Sequence, residues 1–302
     1  MMEIVIIGGF LGSGKTTTLN YLIREAQNSN KTVAVLMNEF GERSVDTFLI
    51  DEDVQVNEIV NGCICCQMKN DVAQQLHDIY IKFQPDIIFI ECSGIAHPIE
   101  VLDACLTPVL APYSKVVSIL GILDANLYNN LKSFPEDIQS LVNKQIKYCS
   151  DVLFNKTDLV NTKQLLQSLN YFENAYPKIH YFITTHGQVS INNIKSSTYN
   201  SRKNIKNSNI HHQNIGHILY NCEFSWNKKS FIEWLKTLPP NIYRVKGFLN
   251  FKKNNKNSII QYSNNHLNIE STPLNMKEYL VIIGYNIDYD KLITSINKYK
   301  TS

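Results

Sequence analysis

The chain has no excess of charge of either sign: Lys and Arg number 29, Asp and Glu 27, and the formal net charge is +2 over 302 residues. That balance removes the electrostatic case for a nucleic-acid partner or an anionic membrane surface. No apolar run approaches the ~20 residues that a membrane-spanning helix needs, so no membrane partner is expected. A removable leader is not expected either, because the first strand-like run, Glu3–Gly8, opens almost at the amino end. Sequence repeats and heptads are absent. Cysteine is present seven times but not in the spacing of a secreted disulfide framework: the number is odd and three fall together, at positions 63, 65 and 66. Reduced thiols fit better, so the expected location is the cytoplasm.

What is there is enough for a core. Hydrophobic residues make up 44% of the chain, and its length suits two domains of ordinary size. Strand-like runs at Glu3–Gly8, Thr32–Met37, Val54–Val60, Asp86–Ile90, Val116–Leu123, Asp151–Phe154 and Ile179–Ile183 alternate with helical stretches. The helical stretches are Lys15–Gln27, Lys69–Phe83, Ile138–Tyr148 and Lys163–Asn174. Continuously apolar strands separated by helices predict an α/β domain with a mostly parallel sheet, buried on both faces, over residues 1–187. From Gln188 to Gln213 the composition turns to Asn, Ser and Lys with no period, which reads as a linker. Residues 214–302 then show strands at Ile215–Phe224, Ile242–Phe251, Ser258–Tyr262 and Glu278–Gly284, with helices at Lys228–Leu238 and Tyr289–Tyr299. That order predicts a smaller α+β domain.

Gly9-Phe10-Leu11-Gly12-Ser13-Gly14-Lys15-Thr16 fits the G-x-x-x-x-G-K-[ST] phosphate-binding template, between a buried strand and a helix as the motif demands. Its glycines let backbone N–H groups face phosphates, and the helix start adds a partial positive charge. Lys15 then reaches the terminal phosphates and the Thr16 hydroxyl ligates Mg²⁺. Asn155-Lys156-Thr157-Asp158 ends another buried strand and matches N-K-x-D, the guanine-reading signature of GTPases. The Asp158 carboxylate can accept from the two guanine N–H donors that adenine lacks, so ATP would leave it unpaired. Glu91-Cys92-Ser93-Gly94 follows an apolar strand, where a carboxylate holds Mg²⁺ and the Gly94 N–H senses the γ-phosphate. GTPases usually carry Asp at the Glu91 position. No Gln follows Gly94 as an obvious orienter of water, and an arginine finger is unassigned, with Arg43 the candidate. Slow hydrolysis is therefore expected.

Cys63-Ile64-Cys65-Cys66 has C-x-C-C spacing. Thiolates bind zinc and other borderline or soft metals, and the metal deprotonates them. Three candidates in one turn leave a coordination position open, for Glu39, Glu42 or a client protein. Incomplete coordination suits transfer more than stapling. A redox disulfide and plain burial are the alternatives. His211 and His212 are read as a solvated pair.

These motifs together resemble the CobW-like metal-chaperone GTPases of the G3E class. The resemblance is carried by Gly9–Thr17, Asn38-Glu39-Phe40-Gly41-Glu42, Gly62–Cys66, Glu91–Gly94, Asn155–Asp158 and, near the carboxyl end, Arg244-Val245-Lys246-Gly247-Phe248. It implies metal-gated GTP hydrolysis, metal held at the C-x-C-C, and a switch at Asn38–Glu42. The site it implies has Lys15, Thr16, Glu91 and Gly94 as catalytic residues. Nucleotide contacts fall to Gly9, Gly12, Ser13, Gly14, Lys15, Thr16, Thr17, Asn155, Lys156 and Asp158. Metal ligands come from Cys63, Cys65, Cys66, Glu39 and Glu42, with Thr16 on Mg²⁺. His97 stands where the family carries Asp and is given no role. The expected function is a cytoplasmic GTPase that transfers a transition metal, zinc before cobalt, to a client metalloprotein. A homodimer formed with nucleotide or metal is left open. The rivals are a P-loop small-molecule kinase and a non-enzymatic nucleotide-binding metal buffer or sensor.

Overall fold

The structure, a computed structural model, describes residues 1–37, 55–58, 68–194, 215–222, 224–252, 257–263, 266–273, 276–285 and 287–300. They fall into two compact units, one within 1–105 and 113–194, the other within 106–112 and 215–300.

The first unit begins with β1 (Met2–Gly9), whose apolar run is buried along nearly its whole length. The chain continues through α1 (Lys15–Asn28), β2 (Val33–Met37), β3 (Gln55–Glu58), α2 (Met68–Phe83) and β4 (Ile87–Glu91). Then come α3 (Pro98–Cys105), β5 (Ser114–Asp124), α4 (Ala125–Asn129), α5 (Glu136–Lys147), β6 (Asp151–Asn155), α6 (Thr162–Ala175) and β7 (His180–Ile183). The seven strands form one sheet in the order β3-β2-β4-β1-β5-β6-β7, and every pairing is parallel. The expected parallel α/β architecture is what forms. β2, β4 and β6 are buried at every position, as strands covered on both faces must be. One core joins Val5 and Ile7 of β1, Leu19, Leu22 and Ile23 of α1, and Phe89 of β4.

Two helices of this unit carry no sequence period. α3 starts on Pro98, which suits a first helical position, and has only eight residues. α4 has five, held by the Asp124 carboxylate, which accepts from the Asn126 and Leu127 N–H groups at 2.9 and 3.0 Å. The linker reading from Gln188 needs correction at its start. Val189, Ile191 and Ile194 are buried in the same core as α1. The Glu25 carboxylate of α1 also accepts the Ile191 N–H at 2.6 Å. Residues 195–214 lie outside the described residues.

The second unit runs β8 (Ile215–Asn221), α7 (Lys228–Lys236), β9 (Ile242–Leu249), β10 (Ser258–Ser263), β11 (His266–Ser271), β12 (Tyr279–Tyr285) and α8 (Tyr289–Lys300). Its sheet is antiparallel, in the order β11-β10-β9-β12-β8. This is the expected α+β unit with one strand more. β11 is an edge strand of alternating polar and apolar residues without aromatics. The Asn227 side chain caps α7 at the Lys229 N–H, 2.9 Å away, and Pro239 and Pro240 follow its end. Trp234 of α7 donates from Nε1 to Ser295 Oγ of α8 at 3.1 Å, and packs against Trp226 and Phe231. Among the described residues no helix is long and apolar enough to cross a membrane.

Removing the fully buried Trp234 ring leaves a cavity at the centre of this aromatic cluster. Trp234→Ala should destabilise the second unit by about 3–5 kcal/mol, read from urea unfolding followed by the fluorescence of Trp226. Wild-type unfolding in the variant would show that the cluster does not hold the unit together.

Candidate functional site

Because the strands of the first sheet are parallel, their carboxyl ends share one edge, where open α/β sheets bind ligands. Gly9 of β1, Glu91 of β4, Asp124 of β5 and Asn155 of β6 all end there, and Thr184 follows β7 at the same edge. The ladder sets their relative heights: Ile7 pairs with Glu91, Gly9 with Ile122, and Asp124 with Asn155.

The phosphate loop turns through Gly9, Gly12 and Gly14, with φ of 145°, 72° and 104°. Gly14 is the N-cap of α1, which has neither a side-chain cap nor an acidic residue in its first turn. α6, in contrast, is closed by a capping box between Asn161 and Gln164. The open N–H groups and positive end of α1 are those an anion takes. The Ser13 hydroxyl, 2% exposed, has no hydrogen-bond partner among the described residues. Leaving such a group dry costs about 1–3 kcal/mol, which a phosphate oxygen would offset. The residues therefore fit a nucleotide phosphate. Lys15 is buried and its Nζ donates to the Phe10 carbonyl at 3.3 Å. Thr17 is exposed on the first turn of α1.

Thr16 Oγ1 donates to Glu91 Oε1 at 3.0 Å. A hydroxyl and a carboxylate side by side are the hard oxygen donors that Mg²⁺ takes together with phosphate, so the pair fits that ion. Gly94 lies on Leu11 of the phosphate loop: a Cβ there would stand 2.6 Å from Leu11 Cγ and Cδ2. The Ser93 hydroxyl is buried without a partner among the described residues.

The N-K-x-D segment is built against the same loop. Asn155, buried, donates from Nδ2 to the Ser13 carbonyl at 2.9 Å and accepts the Gly187 N–H on Oδ1 at 2.9 Å. Lys156 adopts the left-handed region, φ 58°, at a cost of about 1–2 kcal/mol for a residue with a Cβ. That turn sends its ammonium across the phosphate loop, where it donates to the Gly12 carbonyl at 2.7 Å and pairs with Asp124 at 2.8 Å. Asp158 is exposed beyond it. The sequence reading passed over Asp124 and the loop Thr184–Gly187. The signal for Asp124 was an acid closing a long apolar run. For the loop it was a His-Gly pair after a strand; both residues have positive φ, and a Cβ at Gly187 would meet Thr18 of α1.

Cys63, Cys65, Cys66, Glu39, Glu42 and Arg43 lie outside the described residues, as do His211 and His212. Among the described residues, no group of three or more His, Cys, Asp or Glu could hold a metal. Cys92 is pushed up to about 12, first by burial and then by the Glu91 charge, against a lowering pull from Lys15. Burial, then Asp151, pushes Cys149 up as well. These two thiols are packing groups, not thiolate ligands.

Residues 3–181 match the nucleotide-binding domain of CobW/HypB/UreG, and residues 215–300 match the cobalamin synthesis protein cobW C-terminal domain. The chain belongs to the CobW/HypB/UreG family. Among individual relatives, it is 31% identical over 198 residues to the zinc chaperone YjiA of Escherichia coli strain K12, covering 63% of this chain and 59% of that protein. It is 38% identical over 129 residues to the zinc chaperone YeiR of the same organism, covering 42% and 39%. It is 25% identical over 228 residues to the zinc-regulated GTPase metalloprotein activator 1 of Dictyostelium discoideum, covering 64% and 48%. The chain thus spans roughly two-fifths to three-fifths of the length of these curated relatives. The G-x-x-x-x-G-K-[ST] loop, the N-K-x-D segment and the segment after β4 lie together at the sheet edge.

Two measurements check this geometry. Asn155→Ala leaves the Ser13 carbonyl and Gly187 N–H without their partner. It should destabilise the ligand-free protein by about 1–3 kcal/mol in urea unfolding; unchanged stability would mean the two bonds do not form. His97, half-buried with its ring 5.2 Å from Tyr148, is pushed below the usual histidine range by burial. Glu100 opposes that shift and Lys144 reinforces it. The unfolded chain therefore binds the proton first, near pH ~6.5, so this contribution is complete above that pH and is lost as the pH falls below it. Between pH ~7.5 and ~5.5, wild-type Tm should fall further than that of His97→Gln. Parallel curves would refute the assignment.

Proposed function

We propose that the chain is a GTP-hydrolysing metallochaperone that holds a transition metal, zinc in the first instance, at Cys63, Cys65 and Cys66 and passes it to a client metalloprotein in the cytoplasm. The observation that carries the reading is the sheet edge. Glu91, the residue bonded to Thr16, pairs in register with Met37 at the end of β2, and Met37 pairs with Glu58 at the end of β3. The chain leaves Met37 one residue before Asn38-Glu39-Phe40-Gly41-Glu42, and leaves Glu58 five residues before Cys63. In sequence, the nucleotide segments and the thiolate motif thus follow strands that are neighbours in the sheet. The names of the relatives, zinc chaperones and a zinc-regulated GTPase activator, support the same reading.

The chain's residues have the following parts in it. Gly9, Gly12, Ser13, Gly14, Lys15 and Thr17 hold the phosphates, and Asn155, Lys156 and Asp158 select guanine. Thr16 and Glu91 hold Mg²⁺, which when bound neutralises charge developing on the transferred phosphoryl group. Water attacks the γ-phosphorus, the bond to the β-phosphate oxygen breaks, and GDP and phosphate leave. Gly94, resting on Leu11, responds to the presence of the γ-phosphate. Glu39 and Glu42 complete or relax the thiolate site with the state of that segment. The second unit recognises the client.

Coupling is reciprocal: if nucleotide alters metal affinity, metal alters nucleotide affinity by the same factor, commonly about 5- to 150-fold. Zinc titrated against an indicator should therefore give different affinities with a non-hydrolysable GTP analogue, GDP and no nucleotide. Equal affinities in all three states would remove the chaperone reading. Lys15→Ala should abolish nucleotide binding and keep zinc, and Cys65→Ser should do the reverse. Asp158→Ala should lose the preference for guanine over adenine; a retained preference would place base reading elsewhere.

A further inference from the structure

After β4 the Cys92 N–H donates to the Ile7 carbonyl at 2.8 Å, and the turn that follows, residues 93–96, is held at three points. The Ala96 N–H donates to the Ser93 carbonyl at 3.0 Å, closing a tight turn. Gly94, inside that turn, rests on Leu11. The third point comes from α5. Gln145 Nε2 donates to the Gly94 carbonyl at 3.0 Å and to the Ala96 carbonyl at 3.1 Å. The amide orientation follows from the contacts, since the reverse would set Oε1 against two carbonyl oxygens. Gln145 is 2% exposed, and its Oε1 is buried with no partner among the described residues. Only the donor half of the side chain is used. A residue kept merely to fill this space would not need to bury an amide oxygen dry.

The consequence concerns the Gly94 N–H. A peptide unit is planar, so its N–H points opposite its own carbonyl. The Ser93 carbonyl is engaged by Ala96, which fixes the direction of the Gly94 N–H. Gln145 holds two further carbonyls of that turn, those of Gly94 and Ala96. The anchor is itself braced: the Cys149 thiol donates to the Gln145 carbonyl at 3.1 Å, at the end of α5.

We propose that Gln145 is a positioning residue for phosphoryl transfer, aiming the Gly94 N–H at the phosphate loop by clamping the Gly94 and Ala96 carbonyls from α5. This rests on the function proposed above. Gln145 acts through the turn and touches neither nucleotide nor metal.

The test compares full-length wild type with Gln145→Met, which keeps the bulk and removes the donor, and with Gln145→Ala. In Gln145→Met, kcat for GTP should fall about tenfold, the equivalent of one net hydrogen bond. KM and GDP affinity should stay within about twofold, because the lost positioning belongs to the transition state. Amide exchange in 92–97, measured without nucleotide, should rise about tenfold while α1 is unchanged. Gln145→Ala should match Gln145→Met in both readouts if the donor matters and the bulk does not. Wild-type kcat and wild-type exchange in Gln145→Met would overturn the proposal. So would a loss of GDP affinity in step with kcat and faster exchange throughout the unit, the mark of a damaged fold. Should wild type neither bind nor hydrolyse guanine nucleotide, the proposed function fails, and the exchange measurement alone still decides whether the clamp exists.

Discussion

The Asn155 carboxamide is the contact on which the rest of the site depends. Its two halves face opposite ways, one donating to the phosphate loop 142 residues upstream, the other accepting from a loop 32 residues downstream. A carboxamide offers a donor and an acceptor on opposite sides of one planar group. An aspartate would face the Ser13 carbonyl with a negative oxygen; a leucine would leave both backbone groups dry. The missing Cβ at Gly14 belongs to the same arrangement, since a methyl there would run into the Asn155 amide. Lys156 then adds a second tie, to Gly12, and Asp124 balances its charge. The phosphate loop and the N-K-x-D segment are therefore tied together by two side chains. On the proposed reading these ties set the spacing of phosphate and base sites before ligand arrives, which removes an ordering cost from binding.

Much of this was legible in the order of residues, for identifiable reasons. The phosphate loop could be read because its glycines, lysine and threonine do their work within eight positions. β1, β4 and β6 could be read because strands buried on both faces carry near-continuous apolar runs. What could not be read depends on pairing across the sheet or between layers. Asp124 matters because its register places it beside Asn155. Gln145 matters because α5 lies against a turn 51 residues earlier in the chain. Val189, Ile191 and Ile194 show no period and sit among polar residues, so local pattern marked them as linker. Only the groove beside α1 makes them core. β11 escaped for a related reason: an edge strand with one exposed face has no need of a continuous apolar run.

The contrast between the two ends of the site indicates where a switch can sit. On the proposed reading the base end's bonds, from Asn155 to Ser13 and Gly187 and from Lys156 to Gly12, lie between groups that a guanine nucleotide need not displace. At the γ-phosphate end the bonds are substitutes for ligand contacts: Lys15 sits on the Phe10 carbonyl and Thr16 on Glu91. Those bonds would, on the proposed reading, be exchanged when phosphate and Mg²⁺ enter, which would place rearrangement on Glu91 and the residues after it. Glu91 is not isolated. It lies between Ile7 of β1 and Met37 of β2, and Met37 in turn pairs with Glu58 of β3. Packed sheets do not absorb a shift by bending continuously. A movement of the β4 end would, on the same reading, reach the ends of β2 and β3, which the Asn38–Glu42 and Cys63–Cys66 stretches follow in sequence. On the proposed reading the parallel ladder itself joins the phosphate site to the strands that precede the thiolates.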